Sequence, residues 1–254
     1  MTELVHLQVE SQIATITLDS PANRNALSAQ LMTELASQLH TATASTAVRS
    51  VVLAHTSSTF CSGADLAGSA DAGRSGPERD MAQLVGLLRQ FLECSKPIVA
   101  LIEGHVRGGG LGLVAACDLA VASLQSSFAF SEVRLGVAPS IISLTVLPRL
   151  TSRAASQYFL TGDRFDAAEA ERIGLISAAS EHPDVALEQL VTSLRLCSPV
   201  GLAETKKLTT RAILQGFDAQ ETSVTALSER LFSAEEAQEG IAAFKEGRPP
   251  RWAE

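Results

Sequence analysis

An α/β fold is the class that this sequence predicts, with ββα turns arranged as a spiral over residues 1–195 and helices over residues 196–254. The first observation behind it is a strand–strand–helix rhythm that recurs through the first part of the chain. The second is the helical spacing of apolar residues that prevails from Thr151 onward. Because no proline- or serine-rich linker separates the two parts, the sequence predicts one compact unit with a C-terminal helical arm.

The chain is predicted to begin with a hairpin, a helix and a buried strand. Leu4–Glu10 and Ile13–Leu18 alternate apolar and polar residues on either side of a short turn, which is typical of a β-hairpin. Ser28 is a suitable N-cap for the helix that follows. The apolar face of that helix carries three leucines at helical spacing, Leu31, Leu35 and Leu39. Ser50–Ala54 is a short apolar run and predicts a buried strand.

The middle of the chain is predicted to alternate buried strands with glycine-containing loops. Ser57–Pro77 is polar and long for a connection, so we expect a binding loop or a locally disordered segment. Pro77 is expected to begin a helix, and Ile98–Ile102 to form the next buried strand. Gly104–Gly112 is predicted to be a tight loop that leads into Leu113–Cys117. Two short strands are expected after it, Leu119–Ala122 and Phe128–Phe130.

Helix boundaries in the C-terminal part are predicted from capping motifs. Asp166-x-x-Glu169 and Ser233-x-x-Glu236 both have the pattern of a capping box. In such a box the first side chain accepts a hydrogen bond from the backbone N–H three residues on, which predicts helices that begin after Asp166 and Ser233. Gly247 is expected to end the last helix.

The composition excludes several classes of function. The 28 acidic residues outnumber the 20 basic ones, the net charge is -8, and aromatic residues make up 4% of the 254 residues. These values argue against an extended face that binds nucleic acid or an anionic membrane. The N-terminus lacks the features of a signal peptide, and no apolar run is long enough to cross a bilayer. The spacing of the cysteines does not match a metal site, so no metal is predicted. We expect the cysteines to be reduced core residues of a cytoplasmic protein: Cys61, Cys94, Cys117 and Cys197.

The glycine-rich segment allows three interpretations. Gly110–Ala115 matches the G-x-G-x-x-A fingerprint of dinucleotide-binding folds, but the acidic residue at the expected spacing, Glu132, does not end the next predicted strand. The glycines could instead serve close packing of the backbone. They could also present bare N–H groups to an anion at the start of a helix. Cys61–Asp65 is a second loop that follows a predicted strand, and two such loops could form an oxyanion hole.

Several ordered motifs together resemble one known family. Phe60–Leu66 reads FCSGADL, and it is followed by Gly104–Gly110 and by FSEVRLGVAP over Phe130–Pro139. Shorter motifs extend the likeness over nearly the whole chain: Asn25–Ser28, Lys96-Pro97, Cys117-Asp118, Leu160–Leu175 and Glu239–Trp252. The chain is therefore identified as a member of the crotonase (enoyl-CoA hydratase/isomerase) superfamily. This implies a crotonase-like spiral of ββα turns with a C-terminal helical trimerisation region.

The resemblance implies an enzyme that binds an acyl-CoA thioester and stabilises an enolate. The two oxyanion-hole amides of the family correspond to Ala64 and Gly109, and a catalytic glutamate corresponds to Glu132. Implied acyl-CoA contacts are Arg24, Ala26, Gly63, Asp65, Leu66, Gly108, Pro139 and Ile141. Coenzyme A enters as part of the substrate, with no further cofactor. Candidates for binding its phosphates are Arg24, Lys206, Lys207, Lys245 and Arg248.

One position departs from the common pattern of the family. Hydratases with two catalytic glutamates carry the first of them where this chain has Gly112, so Glu132 alone remains as acid and base. The resemblance is closest to a branch with a single glutamate, the methylglutaconyl-CoA hydratase-like enzymes. It implies a lyase that hydrates an α,β-unsaturated acyl-CoA, as in fatty acid metabolism. The alternatives are a Δ3,Δ2-enoyl-CoA isomerase, which needs one base, and a non-catalytic acyl-CoA-binding protein.

The remaining expectations concern the surroundings of the site and the assembly. Polar residues that flank the glycine loop are Glu103, His105 and Arg107, and for His105 a structural hydrogen bond is favoured over catalysis. Small glycines commonly follow the proline that corresponds to Pro139, whereas this chain has bulky isoleucines at 141 and 142, so its acyl site is expected to differ. The resemblance also implies a homotrimer or a dimer of trimers assembled through the helices after Pro199, without nucleic-acid or membrane partners.

Overall fold

The computed structural model of the protein describes residues 2–66 and 77–253. The strands are β1 (Val5–Glu10), β2 (Ile13–Leu18), β3 (Ser50–His55), β4 (Thr59–Cys61), β5 (Ile98–Ile102), β6 (His105–Arg107), β7 (Leu119–Ser123), β8 (Ser127–Ala129), β9 (Phe165–Asp166) and β10 (Ala178–Ser180). The helices are α1 (Ala29–Ala44), α2 (Pro77–Glu93), α3 (Gly109–Ala116), α4 (Ser140–Val146), α5 (Ser152–Thr161), α6 (Ala167–Arg172), α7 (Pro183–Arg195), α8 (Pro199–Phe232) and α9 (Glu235–Glu246). About half of the predicted loop Ser57–Pro77, residues 67–76, lies outside the described residues.

Two sheets form the frame of the fold. The larger runs in the order β1-β2-β3-β5-β7-β10, with β1 antiparallel to β2 and the other neighbours parallel. The smaller runs in the order β4-β6-β8-β9, and its first three strands are parallel. The first turn has both of its strands, β1 and β2, in the larger sheet, whereas the turns β3–β4, β5–β6 and β7–β8 each place the first strand in the larger sheet and the second in the smaller one. The predicted spiral of ββα turns is confirmed.

The small sheet brings three distant segments of the chain together. Because β4, β6 and β8 are neighbouring parallel strands, their carboxyl ends meet at one edge of the sheet. Residues 62–66 follow β4, residues 108–109 follow β6, and a 3-10 turn over Ser131–Leu135 follows β8. In sheets with parallel strands this edge is the usual place for a ligand.

Several local predictions are confirmed. The hairpin of β1 and β2 has the predicted bounds at its turn. The hydroxyl of Ser28 accepts a hydrogen bond from the Leu31 N–H at the start of α1. At the start of α6, the carboxylate of Asp166 accepts a hydrogen bond from the Glu169 N–H, with an N–O distance of 2.8 Å. Gly247 ends α9 with a φ of 67°, in the left-handed region that glycine favours.

The prediction of a tight loop over Gly104–Gly112 is wrong. The segment contains strand β6, and helix α3 already begins at Gly109. A Cβ atom built on Gly110 would lie only 2.7 Å from the Cβ of Cys61 in β4. Gly110 therefore lets α3 pack closely against the small sheet, which agrees with the packing interpretation of the motif.

Two further predictions in the C-terminal part are wrong. The hydroxyl of Ser233 donates to the carbonyl of Glu229, one helix earlier, and the N-cap of α9 is Ala234. Ser233 therefore does not form the predicted capping box. Cys197 is exposed at the end of α7, whereas the other three cysteines are buried as expected.

The C-terminal helices pack onto the spiral. Helix α8 lies against α2 and α4, and α9 lies against the 3-10 turn that carries Glu132. The approach of α9 is close, because a Cβ atom on Gly240 would lie 2.5 Å from the carbonyl of Leu135. Among the described helices, none combines the length and apolar character required to cross a bilayer. The division of the chain at residue 195 falls between α7 and α8 and stays a prediction.

Candidate active site

A cavity of about 290 Å³ lies at the carboxyl edge of the small sheet. Its wall is mainly apolar and includes Leu27, Met81, Leu84, Leu135, Ile142 and Phe232. Residues predicted from the resemblance that line it are Gly63, Ala64, Asp65, Leu66, Gly108, Gly109, Glu132, Pro139 and Ile141. Arg24 and Ala26 do not line it, because Arg24 is exposed on the neighbouring turn and the side chain of Ala26 is buried beneath that turn.

The two glycine-containing loops contact each other. A Cβ atom built on Gly63 would lie 3.5 Å from the backbone nitrogen of Gly109, and one built on Gly108 would lie 3.6 Å from the Cα of Gly63. Gly108 has a φ of 49° and Gly63 a φ of 94°, which are backbone conformations that other residues rarely adopt. Glycine at both positions therefore allows the two backbones to approach and to turn towards the cavity.

Two backbone N–H groups of these loops are available to a ligand. Gly109 is the first residue of α3, and the first N–H groups of a helix have no acceptor within the helix. Within residues 2–66 and 77–253, neither this N–H nor that of Ala64 has an acceptor from the protein. The segment of Ala64 is held in place by a bridge to Leu27, whose N–H donates to the Gly63 carbonyl at 2.8 Å.

Glu132 reaches the cavity from the third segment. A Cβ atom on Gly108 would lie 3.4 Å from its Oε1, so its carboxyl lies beside the two loops. Its Oε2 is buried and has no hydrogen-bond partner in the described part of the chain. Removal of the carboxyl from water raises the pKa of Glu132 to about 7, against a smaller opposing effect of a hydrogen bond with its own backbone. This carboxyl can therefore take up and release a proton near neutral pH.

Position 112 cannot place a second carboxylate in the cavity. A Cβ atom on Gly112 would lie 2.7 Å from the Cγ2 of Ile142, on helix α4. The side chain of Ile142 thus occupies the space into which any side chain at 112 would extend. The absence of a glutamate at position 112 and the presence of isoleucine at position 142 therefore belong to the same packing contact.

The turn beside the cavity is tied to β4. Asn25 is fully buried; its side chain accepts from the Ser20 N–H at 2.6 Å and donates to the Thr59 carbonyl at 2.9 Å. The Arg24 carbonyl accepts from the Ser62 N–H at 3.1 Å, while the Arg24 side chain remains exposed. The turn therefore holds the backbone before Ala64 in position and leaves one exposed cation close to the cavity.

Lys206 is not a phosphate-binding residue, contrary to its candidacy from the sequence. Its ammonium is buried in the core, where it lies 2.7 Å from Asp118 and donates to the carbonyls of Phe91 and Lys96. Other cationic candidates have acidic partners on the surface: Arg248 pairs with Glu239 and Glu246, and Lys207 pairs with Glu204. The backbone of Arg24 contacts Ser62, which lines the cavity.

The polar residues that flank the glycine loop do not line the cavity. His105 lies 3.0 Å from the hydroxyl of Ser127, which is the structural hydrogen bond favoured from the sequence. Arg107 donates to the backbone carbonyl of Ser127 at 2.6 Å and to its hydroxyl at 2.8 Å. The N–H of Glu103 donates to His55. His105 and Arg107 thus connect β6 to the start of β8 in the small sheet.

Sequence reasoning missed the residues that close the cavity. Helices α8 and α9 contribute Ser228, Phe232 and Ile241, although the sequence assigned to these helices only assembly and candidate cations for the phosphates. Ser140, at the start of α4, was also given no role. The helical spacing of apolar residues shows that these helices are amphipathic, but it does not show which surface they cover.

The chain is similar to known proteins over almost its full length. The model of the family described as enoyl-CoA hydratase/isomerase matches residues 8–254. The 2,3-dehydroadipyl-CoA hydratase of Escherichia coli (strain K12) is 31% identical over 258 residues, which cover 98% of each chain. Mevalonyl-coenzyme A hydratase of Aspergillus fumigatus is 31% identical over 94% of this chain and 91% of its own. A solved structure of an enoyl-CoA hydratase from Mycobacterium avium is 48% identical, with a TM-score of 0.92 over 99% of this chain and 100% of that one.

Proposed function

Since the chain belongs to the enoyl-CoA hydratase/isomerase family, we propose that its cavity binds an α,β-unsaturated acyl-CoA thioester and adds water to the double bond. The family and the hydratases similar to it make the chain an enzyme of the lyase type. The observation that carries the proposal is the meeting of three segments around one cavity: residues 62–66, 108–109 and 131–132. Two main-chain donors and one carboxylate are the groups that the proposed mechanism uses.

The two free amides are assigned to the thioester oxygen. The N–H groups of Ala64 and Gly109 would donate to this oxygen, on which negative charge develops as the enolate forms. Both donors belong to the backbone and are fixed before the substrate arrives, so little reorganisation is needed during the reaction. In a mainly apolar cavity such donors act strongly, and the loss of one typically costs about 2.7–4 kcal/mol of transition-state stabilisation.

Glu132 is assigned both proton transfers. As a carboxylate it removes a proton from water, the water oxygen bonds to Cβ, and the electron pair of the double bond moves towards the thioester oxygen. Glu132 then returns its proton to Cα on the same face, which regenerates the carboxylate. A pKa of about 7 suits both steps, because the group is a stronger base than an ordinary glutamate and still releases its proton readily. No cofactor takes part, since coenzyme A is part of the substrate.

The proposal is tested by following the ultraviolet absorbance of conjugated enoyl thioesters with acyl groups of several lengths. We expect the wild type to remove this absorbance and to form the 3-hydroxyacyl product. Glu132→Gln should lower kcat by about 10²–10⁴-fold, because it removes the only carboxylate assigned to proton transfer. Glu181→Gln, on an exposed turn before α7, is the matched control and should keep full activity. Full turnover by Glu132→Gln would contradict the assignment.

The same assay separates the two alternative functions. One carboxylate also suffices to move a proton between carbons, and the closed space at Gly112 is compatible with such an isomerase. An isomerase would convert 3-enoyl to 2-enoyl thioesters and would consume no water. A protein that binds acyl-CoA without chemistry would leave every thioester unchanged. The likeness to the single-glutamate branch stays a prediction until the acyl group is identified.

We assign the phosphates of coenzyme A to the exposed face beside Arg24. The support is its position on the turn whose backbone contacts the Ala64 loop. Arg24→Ala should raise KM for acyl-CoA by about fivefold, equivalent to about 1 kcal/mol, and leave KM unchanged for acyl-N-acetylcysteamine, which lacks the phosphates. Lys207→Ala, at a surface cation paired with Glu204, is the control. An equal rise for both thioesters would contradict this assignment.

The protein is further proposed to form a homotrimer or a dimer of trimers in the cytoplasm. Large apolar side chains are exposed around the start of α8, at Leu196, Val200 and Leu208, where a subunit contact would cover them. Three buried and unpaired cysteines suit a reducing compartment. Light scattering at micromolar concentration should give the mass of three or six chains, and a monomeric mass would contradict the assembly.

A further inference from the structure

We propose that the hydroxyl of Ser140 holds the attacking water in the cavity, so that Ser140 and Glu132 together replace the usual pair of carboxylates. This inference rests on the proposed function. It assigns to Ser140 a role in the hydration step that the family motifs quoted above do not contain.

Ser140 carries a buried polar atom that the fold leaves without a partner. Only 6% of the residue is exposed, and its Oγ has no hydrogen bond within the described part of the chain. Ser62, another serine of the cavity, differs because its hydroxyl donates to the Asn23 carbonyl at 3.1 Å. A buried hydroxyl is nearly always hydrogen-bonded, so an unpaired one that lines a cavity indicates a polar ligand.

Glu132 shows the same feature in the same cavity. Its Oε2 is buried and unpaired, and both residues line the space beside the two free amides. A water molecule bound to both side chains would satisfy both buried atoms. This water would also lie next to the Glu132 carboxylate, to which we assign the proton transfers.

Helix α4 explains why a serine takes this part. Ile142 lies two residues after Ser140 and closes the space above Gly112, from which the missing glutamate would extend. The Thr145 hydroxyl of the same helix donates to the Gly112 carbonyl at 3.1 Å, which fixes α4 against α3. The helix that excludes a carboxylate from position 112 therefore places a hydroxyl on the wall of the same cavity.

The chemistry of a hydroxyl suits this role. The water donates one hydrogen to Glu132, which becomes the proton that is removed, and the other to the Ser140 oxygen. Because both hydrogens of the water then point away from the substrate, a lone pair of the water oxygen can point to the Cβ atom of the substrate. The O–C bond then forms as the O–H bond to Glu132 breaks and the electrons of the double bond move to the thioester. Ser140 neither gains nor loses a proton and acts only through the position of the water.

Two reactions of the same enzyme separate this role from a structural one. Hydration of a 2-enoyl-CoA requires the bound water. Exchange of the α-hydrogen of a saturated acyl-CoA with deuterium from D₂O requires Glu132 and the oxyanion-stabilising amides, but no attack by water. Ser140→Ala should therefore lower kcat for hydration by about 10- to 100-fold, the typical cost of a misplaced reactant, with little change in KM. Its rate of α-hydrogen exchange should remain within about twofold of the wild type.

Ser50→Ala is the matched control. Ser50 in β3 also has a buried and unpaired hydroxyl, but it does not line the cavity. It should leave both reactions unchanged. If Ser140→Ala hydrates as fast as the wild type, or loses both reactions equally, the role of Ser140 is refuted. If the wild type exchanges the α-hydrogen but hydrates no enoyl thioester, the proposed function itself is wrong.

Discussion

Replacement of Glu132 by glutamine should stabilise the folded protein at alkaline pH although it lowers kcat. Burial raises the pKa of this carboxyl from its ordinary value of 4.5 to about 7. Each tenfold change in proton affinity corresponds to about 1.4 kcal/mol. Ionisation of Glu132 therefore costs about 3 kcal/mol more in the folded chain than in the unfolded chain.

The direction in which pH changes the stability depends on whether the folded or the unfolded chain holds the Glu132 proton. Between pH 4.5 and pH 7 the unfolded chain has released the proton and the folded chain has kept it, so stability falls as the pH rises through this window. Above pH 7 both states are ionised, and the full cost of about 3 kcal/mol remains. Glutamine has no such cost. The free energy of unfolding of Glu132→Gln, relative to the wild type, should thus rise by about 2 kcal/mol between pH 5 and pH 8.

Urea unfolding at pH 5 and pH 8 measures this difference, with all proteins at one concentration. The exposed control Glu181→Gln should show the same offset from the wild type at both pH values. The explanation is refuted if the gap between Glu132→Gln and the wild type does not change with pH. It is also refuted if the wild type is the more stable protein at pH 8.

Three further outcomes are expected. The kcat/KM for hydration should fall about tenfold from pH 8 to pH 6, since Glu132, with a pKa of about 7, must be ionised to accept a proton from water; a flat profile would contradict this. Gly240→Ala should lower both Tm and kcat, because its methyl group would lie 2.5 Å from a backbone carbonyl of the turn that carries Glu132. Gly216→Ala, where the space is open, should not lower Tm, and equal Tm values for the two variants would argue against the contact. Lys206→Met should lower the free energy of unfolding in urea by about 3–5 kcal/mol, because Asp118 loses its buried cation, and a loss below about 1 kcal/mol would contradict this.

Elements with a local signal could be predicted from the amino-acid sequence. The hairpin of β1 and β2, the cap at Ser28 and the capping box at Asp166 depend on residues within a few positions of one another. Ser233 has the same motif as Asp166 and yet does not cap α9. Its hydroxyl instead donates a hydrogen bond to the Glu229 carbonyl in the last turn of α8. That helix continues to Phe232, and its last carbonyls have no N–H donors within the helix.

The amino-acid sequence was sufficient to select residues that line the cavity, Ala64, Gly109 and Glu132, because each lies within a compact motif and the motifs keep family spacing. The packing above Gly112, the burial of Lys206 and the unpaired hydroxyl of Ser140 became visible in the folded chain alone. The partners of Gly112 and Lys206 lie far away along the chain: Ile142 is on another helix than Gly112, and Lys206 donates to a carbonyl 115 residues earlier. Such contacts leave no periodic pattern in the sequence, because they arise when separately formed elements pack against one another.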